Sequence, residues 1–154
     1  MRTRKSDWFE VKFQYEKTQE DGMQKKVTEL YAVDALSFTE AEERITEEMA
    51  VYVGGETFIK SISRAPYGEI FFDDRESADK YYKAKLDFIT IDEKTEKEKK
   101  STVTYLVRAA NLDEAKKNII GVMDVTMVDY DIQSIAETKI MDVFEYKSEK
   151  VNED

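Results

Sequence analysis

The sequence predicts an α+β fold: two tandem β-β-α-β-β modules, each with antiparallel sheet and one helix on one face. Three observations lead there. Apolar residues alternate with period two in several segments, as in half-buried strands. Two other segments carry a cap followed by an amphipathic helical stripe. And the chain repeats itself at a nearly constant offset.

The repeat sets the boundaries. "WFEVKFQYE" at 8–16 aligns with "YYKAKLDFI" at 81–89, a separation of 73. "KKVTELYAVDALSFTEAEERI" at 25–45 aligns with "KKSTVTYLVRAANLDEAKKNI" at 99–119, a separation of 74. The offset is 73 again where Ile59, Ser61 and Ile62 meet Ile132, Ser134 and Ile135, and where Ile70 and Phe71 meet Val143 and Phe144. The one-residue slips fall where loops are expected, as in a tandem duplication. Module one spans 8–72, a linker 73–80, module two 81–146, and the charged tail 147–154 is expected to fray. Together they are expected to form one pseudo-symmetric domain.

Each element follows from local pattern. In the first strand Phe9, Val11, Phe13 and Tyr15 face one side, while Glu10, Lys12 and Gln14 face the other. After a polar connection the second strand alternates Val27, Glu29, Tyr31 and Val33, and in module two Ser101, Val103, Tyr105 and Val107. The two strands predict a hairpin. Ser37 stands three residues before Glu40, a capping-box spacing, and Asn111 three before Glu114. Phe38, Ala41, Ile45, Met49 and Tyr52 make an apolar stripe at helical steps, repeated by Leu112, Ala115, Ile119 and Met123. Gly54-Gly55 reads as the helix stop. "TFIKSISRA" and "YGEIFF" predict a third and a short fourth strand, as do "YDIQSIAET" and "KIMDVFEY" in module two. The linker "DDRESADK" predicts a helical turn.

Composition excludes several chemistries. With 154 residues and 41% hydrophobic content the chain can bury a core of its own. It has no Cys, hence no disulfide, thiol nucleophile or thiolate metal site. It has no His, which removes Ser-His-Asp catalysis and imidazole ligation. Carboxylate–magnesium chemistry survives. The net charge of −10 opposes duplex DNA and anionic membranes. "MRTRKSDWFEV" begins basic with no apolar run behind it, so neither a signal peptide nor a membrane span is expected. A cytoplasmic location is the expectation.

Candidate ligand-binding residues fall into two groups. Trp8, Tyr81 and Tyr82 begin equivalent strands beside Lys12, Lys83 and Lys85; aromatics among lysines can stack bases and hold phosphates. The competing reading is that the rings cover the seam between the two copies while the lysines are solvated, and the acidic charge favours it. Lys25-Lys26 and Lys99-Lys100 recur at one place in both modules. They read either as a doubled phosphate grip or as charged starts to edge strands, the second being the stronger reading. Asp73, Asp74, Glu76 and Asp79 crowd together, but no EF-hand frame is present, and a solvated linker is preferred to a metal site. The helix face carrying Glu40, Glu42, Glu43, Glu47 and Glu48 is interrupted by Arg44, and its counterpart carries Lys116 and Lys117, so it reads as a solvated face rather than as nucleic-acid mimicry. No cofactor, metal site or catalytic residue is expected.

The run from Trp8 to Met49, with "AETKIMDVFEY" near the end, resembles an uncharacterised domain family of gut bacteria and their phages. The resemblance covers nearly the whole chain. It implies a phage or mobile-element context and transfers no catalytic residue or ligand. The expectation is therefore a non-enzymatic binding protein, monomeric or homodimeric, with a protein partner or a nucleotide-like ligand. The partner would be a nucleic-acid-handling or defence protein. A single-stranded nucleic-acid binder, using the aromatic and lysine residues named above, and a carboxylate–magnesium enzyme are the alternatives.

Overall fold

The computed structural model describes residues 1–146. The expected fraying of 147–154 lies outside the described residues. The element order is β1 (Arg2–Lys5), β2 (Trp8–Thr18), β3 (Gln24–Asp34), α1 (Phe38–Met49), β4 (Thr57–Arg64), β5 (Glu69–Phe72), β6 (Lys80–Ile91), β7 (Glu98–Ala109), α2 (Leu112–Met123), β8 (Asp129–Glu137) and β9 (Ile140–Phe144). The fold is α+β, with two helices and nine strands among the described residues.

The strands form two sheets, and the chain divides into two compact units. The α1 unit holds Ser6–Ala65 and the chain from Lys139, with strand order β4-β2-β3-β9. The α2 unit holds Met1–Lys5 and Pro66–Thr138, with order β1-β5-β7-β6-β8.

In the α1 unit β2 and β3 make the expected hairpin, pairing Phe9 with Val33, Val11 with Tyr31 and Phe13 with Glu29. β4 takes the other edge of β2, with a bulge between Lys12 and Phe13. Val11, Phe13, Tyr31 and Val33 form a buried row, and Ile45 and Met49 of α1 pack against it. In the α2 unit β6 and β7 pair Ala84 with Tyr105 and Leu86 with Val103, and β8 adds with a bulge between Lys85 and Leu86. Ala115, Ile119 and Met123 of α2 cover this row. Burying each of the larger apolar side chains, such as Phe13, Ile45 or Leu86, stabilises by about 1.5–3 kcal/mol.

Both helices begin where the caps place them. The Ser37 hydroxyl accepts from the Glu40 amide at 3.1 Å, and the Glu40 carboxylate accepts from the Leu36 amide at 3.3 Å. The Asn111 side chain accepts from the Glu114 amide at 2.9 Å. Phe38, Leu112 and Tyr52 leave the expected stripe: they are 48%, 51% and 75% exposed. The first two sit in the opening turn, and Tyr52 lies beyond α1. That helix ends at Met49, before the expected stop, and Gly55, with φ of 96°, turns the loop that follows.

Three expectations change. β1 was not anticipated: "RTRK" has no apolar alternation, yet it pairs antiparallel with β5 as a short charged edge strand. The last strand of each predicted module is parallel to its neighbour rather than antiparallel: β5 lies along β7, and β9 along β3. β5 joins the α2 unit's sheet because residues 65–68 alone separate it from β4, too few for the crossover that a strand lying parallel to β3 on its far edge would need. Residues 73–79 form a turn closed by the Ala78 amide on the Arg75 carbonyl at 3.0 Å, not a helix. Among the described residues no helix is long and apolar enough to cross a membrane.

Candidate functional site

The α1 unit carries a depression of about 370 Å³ between the hairpin, β9 and the chain after α1. Strand alternation supplies it from below. Tyr15, Glu29 and Tyr31 lie on the face that α1 covers further along, where the helix has already ended. β9 brings Asp142 opposite Tyr31 and Phe144 opposite Val33. Tyr52 follows α1, where its amide bonds the Met49 carbonyl at 3.0 Å.

The rings and carboxylates are organised. Tyr31 stacks on Phe144 with centroids 5.3 Å apart and planes 22° apart. The Tyr31 hydroxyl donates to Glu29 Oε1 at 3.0 Å. Burial, and then the Glu29 carboxylate, hold the Tyr31 phenol well above its ordinary value; the same two causes raise Tyr15. Both phenols are therefore neutral near pH 7. Asp142 accepts from the Val143 amide at 2.8 Å. The site is thus electron-rich aromatic surface bearing two carboxylates, suited to a cation and repulsive to phosphate.

A second hollow in the same unit, about 340 Å³, lies between α1 and the end of β9. Arg44 crosses it: its guanidinium donates to the Asp34 carbonyl, pairs with Glu40 and stands 3.8 Å from the Tyr146 ring centroid. Its cation is already engaged.

The α2 unit has a polar corner instead. Asp73, 6% exposed, receives Arg75 Nε at 2.8 Å and Nη2 at 2.5 Å, and Asn118 Nδ2 at 3.3 Å. Arg75's hydrogen bonds hold the Asp73 carboxyl far below the usual carboxylate range. Arg2 pairs with Asp74 at 2.9 Å. Of the four carboxylates crowded at 73–79, Asp73 and Asp74 are paired with arginines, and no group of three or more potential metal ligands occurs among the described residues.

The residues singled out from sequence do not converge. Trp8, Tyr81 and Tyr82 are 2%, 4% and 3% exposed, so none offers a ring face to a base. They begin strands at the buried ends of the two hairpins. Lys12 and Lys85 are exposed, and Lys83 is half-buried with Nζ 5.9 Å from the Tyr67 ring. Lys25 and Lys26 are exposed near the β2–β3 turn, opposite Lys17 and Glu16. Lys99 and Lys100 are exposed at the like place on β6–β7, opposite Thr90 and Ile89, in the other unit. What sequence reading missed was Glu29. A carboxylate on the apolar parity of β3, where the other hairpin has Val103, was the available signal.

No match is found among the curated proteins or among the solved structures. The family described as Domain of unknown function (DUF4494) matches residues 7–146. By that span the chain belongs to the DUF4494 family.

Proposed function

We propose that the chain is a non-enzymatic binding protein, made of two fused copies of one module, that acts on a basic protein partner. The partner class is a nucleic-acid-handling or defence protein in a phage or mobile-element setting. The observation that carries this reading is the aromatic and acidic depression of the α1 unit, on a chain of net charge −10. Proteins that handle nucleic acid are commonly basic, so charge complementarity favours encounter with them. A nucleotide-like ligand is the weaker reading, because Glu29 and Asp142 would face its phosphates.

Several correspondences support the fused-copy reading. α1 and α2 are twelve residues each and start 74 apart. The bulges follow Lys12 and Lys85, 73 apart. Val143 lies opposite Ala32 on β9–β3, as Ile70 lies opposite Leu106 on β5–β7. Arg44 donates to the Asp34 carbonyl, and Asn118, 74 residues on, donates to the Arg108 carbonyl at 3.2 Å.

The test is capture of purified basic nucleic-acid-handling proteins by the immobilised full chain at about 0.15 M salt. Capture that is lost in a Glu29→Val, Tyr52→Ala double variant is the expected result. A thermal shift with nucleotides or oligonucleotides, in the absence of any capture, would overturn the reading.

A further inference from the structure

We infer that the α1 unit's depression receives the guanidinium of an arginine side chain presented by the partner, an inference that rests on the reading of this depression as the working surface. Three features select that group.

The first is the rings. Tyr31, 6% exposed, is covered and stacks on Phe144, so the rings a ligand can reach are Tyr52, 75% exposed, and the half-buried Tyr15 and Phe144. A planar, weakly hydrated cation stacks on such faces, whereas a lysine ammonium must shed tightly held water to do so. The same unit already pairs its own guanidinium groups with rings: Arg44 lies 3.8 Å from the Tyr146 centroid and Arg64 5.1 Å from that of Phe9. The second is charge. The half-buried Glu29 carboxylate is held by the Tyr31 hydroxyl, so its orientation is set before a ligand arrives. A carboxylate takes a forked donor on its two oxygens, the geometry at which arginine excels, and Asp142 adds negative charge to the same depression. The third is shape. The site has the volume for a side chain yet stays open at the Tyr52 rim, so it would enclose a free small molecule poorly. A side chain whose backbone remains on the partner's surface matches that opening.

The experiment titrates the full chain with N-acetyl-arginine methylamide, following side-chain NMR signals, beside the lysine analogue and the neutral citrulline analogue. The arginine compound is expected to bind with a Kd on the order of 1 mM. The citrulline and lysine compounds should bind at least about tenfold more weakly. Tyr52→Ala, a change at an exposed ring, and the isosteric Glu29→Gln should each weaken arginine binding severalfold with the fold intact. Equal binding of all three compounds, or none by the arginine compound, overturns the inference. If partner capture persists while the arginine compound fails, the binding-protein reading stands without this inference. If both fail, both fall.

Discussion

The α1 unit's strand order β4-β2-β3-β9 has its counterpart in β8-β6-β7-β5 of the α2 unit, which adds β1, and the two units part company at the corner beside Glu29 and Val103. On β3, two residues from the buried Val11–Tyr31 pair, stands Glu29 opposite Phe13. On β7, two residues from the Ala84–Tyr105 pair, stands Val103 opposite Leu86. The flanking strand differs as well: β4 puts Thr57 opposite Tyr15, whereas β8 puts Tyr130 opposite Phe88. Val103 and Tyr130 pack against the α2 unit's core, and the Tyr130 hydroxyl bonds Asp124 at 2.9 Å. One frame therefore carries a filled apolar corner in one unit and an acidic depression in the other. The backbone plan did not decide between them; a few side chains on the same strand positions did.

The swap that should break this contrast most violently is Val103→Glu. It places a carboxylate in a packed apolar row, and a loss of about 3 kcal/mol is expected in urea unfolding followed by circular dichroism. A loss below about 1 kcal/mol would mean the corner is not packed as described.

Next comes the helix–strand corner. Asp73→Ala removes the acceptor of both Arg75 and the buried Asn118 and should cost about 2 kcal/mol. Tyr146→Ala at the Arg44 corner removes one partly exposed ring contact, about 0.5 kcal/mol. The pH dependence separates them further. Asp73 titrates lower folded than unfolded, so its contribution is full above the unfolded value near 3.8 and fades as the pH falls below it. The deficit of Asp73→Ala should accordingly shrink in acid, and that of Tyr146→Ala should not. Equal acid profiles would refute the assigned ion pair.

How much of this could be read in the sequence follows the same division. Hairpins, caps and helix faces were legible because each is set by neighbours a few residues away: period-two alternation in β2 and β6, Ser37 with Glu40, Asn111 with Glu114. The partners of β5 and β9 were not, because parallel pairing is decided by which distant edge is open. β1 was invisible because an edge strand of "RTRK" needs no apolar residue. The candidate residues were hard to weigh for a related reason. Trp8, Tyr81 and Tyr82 were weighed as surface rings because they begin strands beside lysines, and burial removed them. Glu29 was on view as an acid among Val27, Tyr31 and Val33, but it reads as a site only once β9 brings Asp142 and Phe144 beside it.

The caps allow a finer comparison. Ser37→Ala and Asn111→Ala should each cost about 1 kcal/mol, and by similar amounts, because both side chains accept from the third amide of their helix. A large inequality would show that the two frames are less alike than their registers indicate.

The smallest effect should come from Glu29→Val, the reverse of the first swap. Stability should change by less than about 0.5 kcal/mol, since the carboxylate sits in an open depression. Its signature lies elsewhere. Tyr31 loses the bond and the charge that help raise it, so its phenol should titrate closer to 10.0, as read by alkaline absorbance. No movement would mean that burial alone holds the phenol up.

The most direct measurement is a map of where an arginine ligand touches the chain. Two-dimensional NMR of the labelled full chain, with and without N-acetyl-arginine methylamide, should shift signals at Tyr15, Glu29, Tyr31, Tyr52, Asp142 and Phe144. It should leave Phe88, Val103, Tyr105 and Tyr130 unmoved. Shifts spread equally over both sets, or confined to the second, would contradict the claim that one corner alone is built to bind.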